Sequence, residues 1–174
     1  SEFLNPASLK GGKVKKTAAG LYGSEVLTLK NGVKVILLPS DREKDRISFN
    51  IFKKGGQSLI SDEDLYSFED NIWALYQQNT GVAAFPATTV SKMLSGKQVA
   101  VSPYINGYTH GVSATSTSKD IETAFQLMYL YFTAPRFDVD EYAKGISQIE
   151  NILPNLENQP NWQLQKQISK TIYD

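Results

Sequence analysis

The chain has 174 residues, 41% of them hydrophobic and 21% charged, enough apolar material for a core and against disorder over most of its length. Eighteen basic residues balance 18 acidic ones, so no global field draws the chain to nucleic acid or to an anionic membrane. There is no cysteine, which excludes disulfides, thiolate nucleophiles and cysteine zinc sites, and no apolar run approaches the roughly 18 residues of a membrane span.

Residues 1–23 read as a linker or an extraneous segment ahead of a single domain over 24–174. The opening Ser1-Glu2-Phe3 has no Met and no signal peptide, as an internal cut would leave it. Lys10, Lys13, Lys15 and Lys16 form a local basic run, read as solvated linker in preference to a nucleic-acid arm.

Two β-rich runs, Glu25 to Lys30 and Val33 to Leu38, flank Asn31-Gly32, a dipeptide whose members both tolerate positive φ and so predict a hairpin. Arg46 to Phe52 alternates as a third strand ended by Gly55-Gly56. Ser61 then caps a helix, with Asp64 three residues on, and Leu65, Phe68, Ile72, Leu75 and Tyr76 fall on one face before Gly81. A shorter helix is expected over 88–95. Strands follow at 98–102 and 108–115 around Asn106-Gly107. A long helix from Ser118 to Thr133 carries Ile121, Phe125, Met128 and Phe132 as one apolar stripe, widened by Leu127, Leu130 and Tyr131 into a face broad enough to be buried against a sheet, and stops at Pro135. Asp138 with Glu141 opens another helix, with Val139, Tyr142, Ile146, Ile149 and Leu153 inward, broken by Pro154. Asn161 opens a last one, with Trp162, Ile168 and Ile172. The order predicts an α+β fold, an antiparallel sheet with helices packed on one face.

Several segments resemble one domain of the pitrilysin/insulinase family of zinc metallopeptidases, which includes the mitochondrial processing peptidases. Leu29-Lys30-Asn31-Gly32-Val33-Lys34-Val35 resembles the family's opening hairpin. Gly55-Gly56 resembles its paired glycine, Lys119 to Leu127 the start of its long helix, and Pro135-Arg136-Phe137 the break that follows. Pro39 to Asp45, Leu94 to Val99 and Tyr129 to Arg136 are similar to the third domain of the large bacterial members, which carry four such domains in one chain. The resemblance covers Val26 to Tyr173. It implies the family's αβ roll. The family's domain continues past the last helix seen here, so the roll is expected to be truncated at its C-terminal end, with uncovered apolar surface and either self-association or marginal stability.

Catalytic domains of that family carry His-x-x-Glu-His on the helix after the double glycine. Two imidazoles one turn apart bind zinc, and the Glu polarises the attacking water. Here that helix reads Leu65-Tyr66-Ser67-Phe68-Glu69-Asp70-Asn71-Ile72-Trp73, without histidine. No catalytic, cofactor-binding or metal residue is therefore assigned. His110, the only histidine, is expected to make ordinary hydrogen bonds. Glu69 and Asp70 point about 100° apart on a helix and read as a solvated edge, as do Glu122, Glu141 and Glu150. Ser113, Thr115, Ser116, Thr117 and Ser118 read as a strand end and helix cap, because His110 and Ser113 lie on opposite faces of a strand. No Gly-Lys-Ser/Thr follows Gly55-Gly56, so the pair is not a phosphate loop. Tyr129, Tyr131 and Phe132 read as core, with a peptide or partner surface as the alternative.

The resemblance implies a non-catalytic domain of a parent zinc peptidase that helps wall a substrate chamber, packs against sister domains and presents a sheet edge to extended peptide. Zinc would sit in the parent's catalytic domain, and family analogy puts the parent in the periplasm or cell envelope. The alternative is a free-standing peptide-binding module or an inactive subunit beside a catalytic one. A third reading is a hydrolase with an unfamiliar carboxylate or serine site. No nucleic-acid partner and no membrane span are expected.

Overall fold

A computed structural model of the chain describes residues 2–5, 7, 9–65 and 80–173. Two antiparallel three-stranded sheets form its frame. The first holds β1 (Val14–Ala19), β2 (Glu25–Leu29) and β3 (Lys34–Leu37) in the order β1-β2-β3. The second holds β4 (Ile47–Lys54), β5 (Val99–Ile105) and β6 (Thr109–Ser116) in the order β4-β6-β5. Among the described residues the α-helices are α1 (Asp62–Leu65), α2 (Ala87–Leu94), α3 (Ile121–Thr133), α4 (Val139–Glu157) and α5 (Pro160–Tyr173).

The hairpin falls where Asn31-Gly32 places it, by a different turn. Gly32 donates its N–H to Leu29 O at 3.0 Å, and Leu29 donates to Val33 O at 2.8 Å, so three residues form the loop. Only Gly32 has positive φ, at 89°, while the Asn31 side chain accepts from Val33 N at 3.1 Å. This is a type I turn followed by a left-handed glycine, which suits the twist of the flanking strands.

The Lys-rich stretch read as linker differs more. Val14–Ala19 pairs with β2 from Val14↔Leu29 to Ala19↔Glu25, with a register shift between Val14 and Lys16. An edge strand tolerates lysine on both faces, so its apolar period is too weak to see in sequence. Phe3, in the same stretch, is 4% exposed, meets Phe85 edge-on at 5.5 Å and donates its N–H to Gln126 Oε1 at 2.9 Å.

The core lies between the second sheet and α3. Val112, Ala114 and Ser116 alternate inward on β6, and Ala124, Leu127, Met128 and Leu130 meet that side from α3. The buried face of α3 is the Leu127, Met128 and Leu130 side of the expected wide face, with Tyr131 half-buried beside it. Met128 is buried, but Phe125 and Phe132 are about half exposed. The helix begins at Ile121 and not at Ser118, because Asp120 leaves the helix cap open and accepts from Gln98 N at 2.9 Å, tying the helix start to β5.

Asp138 caps α4 as expected, accepting from Glu141 N at 3.1 Å, while Glu141 turns to Lys144 at 2.8 Å and leaves the box half made. Pro154 does not break α4, which runs on to Glu157. Pro154 lies within one turn of the helix end on a solvent-facing stretch, so water can satisfy the carbonyl that loses its partner. Ile146 and Ile149 are half-buried, but Val139, Tyr142 and Leu153, expected inward, are exposed, as are Trp162, Ile168 and Ile172 on α5. The chain exposes 13223 Å², roughly one and a half times the ~8,500 Å² of a folded monomer of its mass.

Candidate functional site

Three features of the second sheet bear on function: a corner around the double glycine, an apolar groove and an open edge. At the corner, Gly55 N donates to Tyr108 O at 2.8 Å, Gln57 N to Asn106 O at 2.9 Å and Ser58 N to Gly107 O at 2.9 Å. Gly56 N donates to His110 Nδ1 at 3.0 Å. The turn after β5 and His110 at the start of β6 thereby satisfy every amide from 55 to 58. Both glycines have positive φ, 134° and 66°, and a Cβ on Gly56 would lie 2.0 Å from Asn106 O. This close approach explains the double glycine. It also gives His110 the ordinary hydrogen-bonding role expected of it: Nδ1 is the acceptor, which places the ring proton on Nε2 in the neutral form.

Ser113 lies on the opposite face of β6 from His110, and its hydroxyl donates to Ser102 O at 3.4 Å. His110, the one histidine of the sequence, is thus not placed to act as a base for Ser113. Thr117 Oγ1 donates to Asp120 Oδ2 at 3.3 Å, Ser116 Oγ to Thr117 O at 3.0 Å, and Ser118 N to Asp45 Oδ1 at 3.0 Å. The hydroxyl run is therefore a strand end and loop, clamped by acids that sequence reading did not link to it. Hydrogen bonds from the Ser118 hydroxyl and amide hold the Asp45 carboxyl below its ordinary 3.8. Glu122 and Glu150 are exposed, and Glu141 pairs with Lys144. Glu69 and Asp70 lie outside the described residues. Among the described residues, no three His, Asp or Glu side chains group in a way that could hold a metal ion, and no helix is long and apolar enough to cross a membrane.

Tyr129 and Phe132, read as core, are exposed at 43% and 49%. With Leu9, Ile51 and Phe125 they line an apolar groove of about 390 Å³ beside α3. Phe125 also stacks on Phe49 of β4 at 4.8 Å. Tyr131 sits on the half-buried side against the core, where burial pushes its hydroxyl above the ordinary 10.0.

The other face of the sheet is open. Ser48, Asn50, Ala100, Ser102, Ser113 and Thr115 line a shallow depression of about 410 Å³ there. The register sets them in two rows, Asn50↔Ser113↔Ser102 and Ser48↔Thr115↔Ala100. β4 and β5 are the outer strands. β5 contains Pro103, which has no N–H to offer an added strand, whereas β4 runs eight residues, Ile47–Lys54, without proline. Among the described residues nothing pairs with the outer edge of β4.

This architecture is a pitrilysin/insulinase-like fold, as the sequence resemblance implied. Two solved structures carry the likeness. One is the periplasmic protease PqqL from Escherichia coli, with a TM-score of 0.76 and 17% identity over 100% of this chain and 19% of that one. The other is the ferredoxin protease FusC, solved as a variant in complex with Arabidopsis ferredoxin, with a TM-score of 0.72 and 15% identity over 95% of this chain and 18% of that one. The chain thus spans about a fifth of the length of either protease, and at these identities the likeness is one of fold. No family model matches the chain, and no curated protein does.

Proposed function

We propose that this chain is a non-catalytic domain of a zinc-metallopeptidase-like protein, one that helps wall a substrate chamber and packs against sister domains. The observation that carries this reading is the histidine count. The family's zinc chemistry takes two imidazoles from one helix, and the chain has one histidine and no cysteine. That histidine lies on β6 with Nδ1 committed to the Gly56 amide. The sparse burial of α4 and α5 supports packing against other domains, because their apolar faces need a cover. Zinc and hydrolysis belong, on this reading, to another domain of the parent.

The unpaired edge of β4 favours peptide capture as a second role, in the domain or in a free-standing module. An extended peptide added there gains main-chain hydrogen bonds without sequence specificity, beside the polar open face. Hydrolysis of fluorescent casein tests the inert reading. The expected result is no turnover above buffer with or without added zinc. Turnover that co-purifies with the chain and is lost on mutating Ser113 or His110 overturns it.

A further inference from the structure

The basic run is not a tail, because the fold gathers it. Lys30 N donates to Lys13 O at 2.8 Å, which sets Lys13 beside Lys30 across β1 and β2. One row further on, Lys16 pairs with Thr28, and Thr28 with Lys34. The register puts Lys16, Thr28 and Lys34 on one face, and the backbone bond between Lys13 and Lys30 brings those two lysines to the same end of the sheet. Four lysines therefore gather at one end of the first sheet, and all four are exposed. Residues 10–38 hold six lysines against the single carboxylate of Glu25, a net +5 on a neutral chain. Glu25 sits at the far end of the sheet, opposite Ala19 and Leu37. None of the ion pairs among the described residues involves these lysines.

Like charges set on neighbouring strands repel, and no ion pair among the described residues offsets the cost. The rows are about 7 Å apart along the strands and the strands about 5 Å apart, which matches carboxylates at alternate positions of an extended chain. β1 is an outer strand of its sheet, so its edge offers main-chain hydrogen bonds beside the lysines. A bilayer or a nucleic acid would use the charge and leave that edge unpaired. The same face continues from the lysines into Ala18, Val26 and Ile36, the last 67% exposed. We propose that this face docks an acidic, extended protein segment, with carboxylates at alternate positions over Lys13, Lys16, Lys30 and Lys34.

The test uses the full 174-residue chain and a labelled peptide with Glu at alternate positions among Val and Thr, followed by fluorescence anisotropy. Binding is expected at about 20 mM NaCl and is expected to weaken at least about tenfold by about 300 mM, as screening shortens the reach of the charges. The quadruple change of Lys13, Lys16, Lys30 and Lys34 to Ser is expected to weaken low-salt binding by about tenfold or more. Changing Lys92, Lys119, Lys166 and Lys170 to Ser instead removes the same charge elsewhere and is expected to leave it intact. Equal loss in both variants, or no peptide binding at all, overturns the proposal. So does a preference for anionic phospholipid vesicles or single-stranded DNA over the peptide at equal charge, each assigning the face to that polyanion.

Discussion

Replacing Gly56 by Ala tests whether the corner between β4 and the β5–β6 turn holds the second sheet together. Gly56 has φ 66°, a left-handed conformation that costs an L residue about 1–2 kcal/mol. Its Cβ would also lie 2.0 Å from Asn106 O and 2.7 Å from Thr109 N, backbone atoms that cannot rotate away. Relief requires the turn to move, and with it the amides that Gly55, Gly56, Gln57 and Ser58 place on residues 106–110. Losing two of those bonds removes about 1–3 kcal/mol more, so the total is about 2–5 kcal/mol. Gly32 is the control: φ is 89°, but a Cβ there meets nothing within 4 Å, so Gly32→Ala is expected to cost only the conformational part, about 1–2 kcal/mol. Urea unfolding followed by far-ultraviolet circular dichroism measures both. If Gly56→Ala costs no more than Gly32→Ala, the close approach at the corner is not what the double glycine serves.

Leu127 is 1% exposed, and its truncation to Ala is expected to cost about 2–5 kcal/mol; a loss below about 1 kcal/mol in the same urea assay would place the core elsewhere. The Glu141 amide and Arg136 hold the Asp138 carboxyl below its ordinary 3.8, as Ser118 does for Asp45. Both lowered values make a contribution that is present above the ordinary carboxylate range and lost as pH falls through the folded-state values. The melting temperature is expected to drop below about pH 4, and more gently in the Asp45→Asn, Asp138→Asn double variant; an acid limb just as steep in that variant contradicts the assignment. The exposed apolar faces of α4 and α5 predict sedimentation coefficients that rise with concentration, and a concentration-independent monomer would refute it.

Local signals carried most of the strand and helix positions. The Asn31-Gly32 hairpin, the Ser61 and Asp138 caps and the Pro135 stop each rest on a few neighbouring residues, and each stands within a residue or two of its place. What sequence could not show is pairing at long range. Phe3 and Gln126 lie 123 residues apart, and Asp45 and Ser118 lie 73 apart, with nothing in either segment to announce the other. β1 was hidden because lysine supplies no apolar period. The groove beside α3 was hidden because Phe125, Tyr129 and Phe132 are apolar enough to read as core. For the site, the lack of a second histidine was legible outright, and so was the plain role of His110. Which strand edge lies open required the strand order and the position of Pro103 within it.

The most direct test of the inert-domain account is zinc content by elemental analysis of the purified chain, after dialysis against zinc-free buffer. The account predicts zinc far below stoichiometry, together with about one zinc per chain in a longer form of the parent that carries a His-x-x-Glu-His domain. Stoichiometric zinc retained by this chain, and lost on changing His110 to Ala, would contradict it and move the metal to β6.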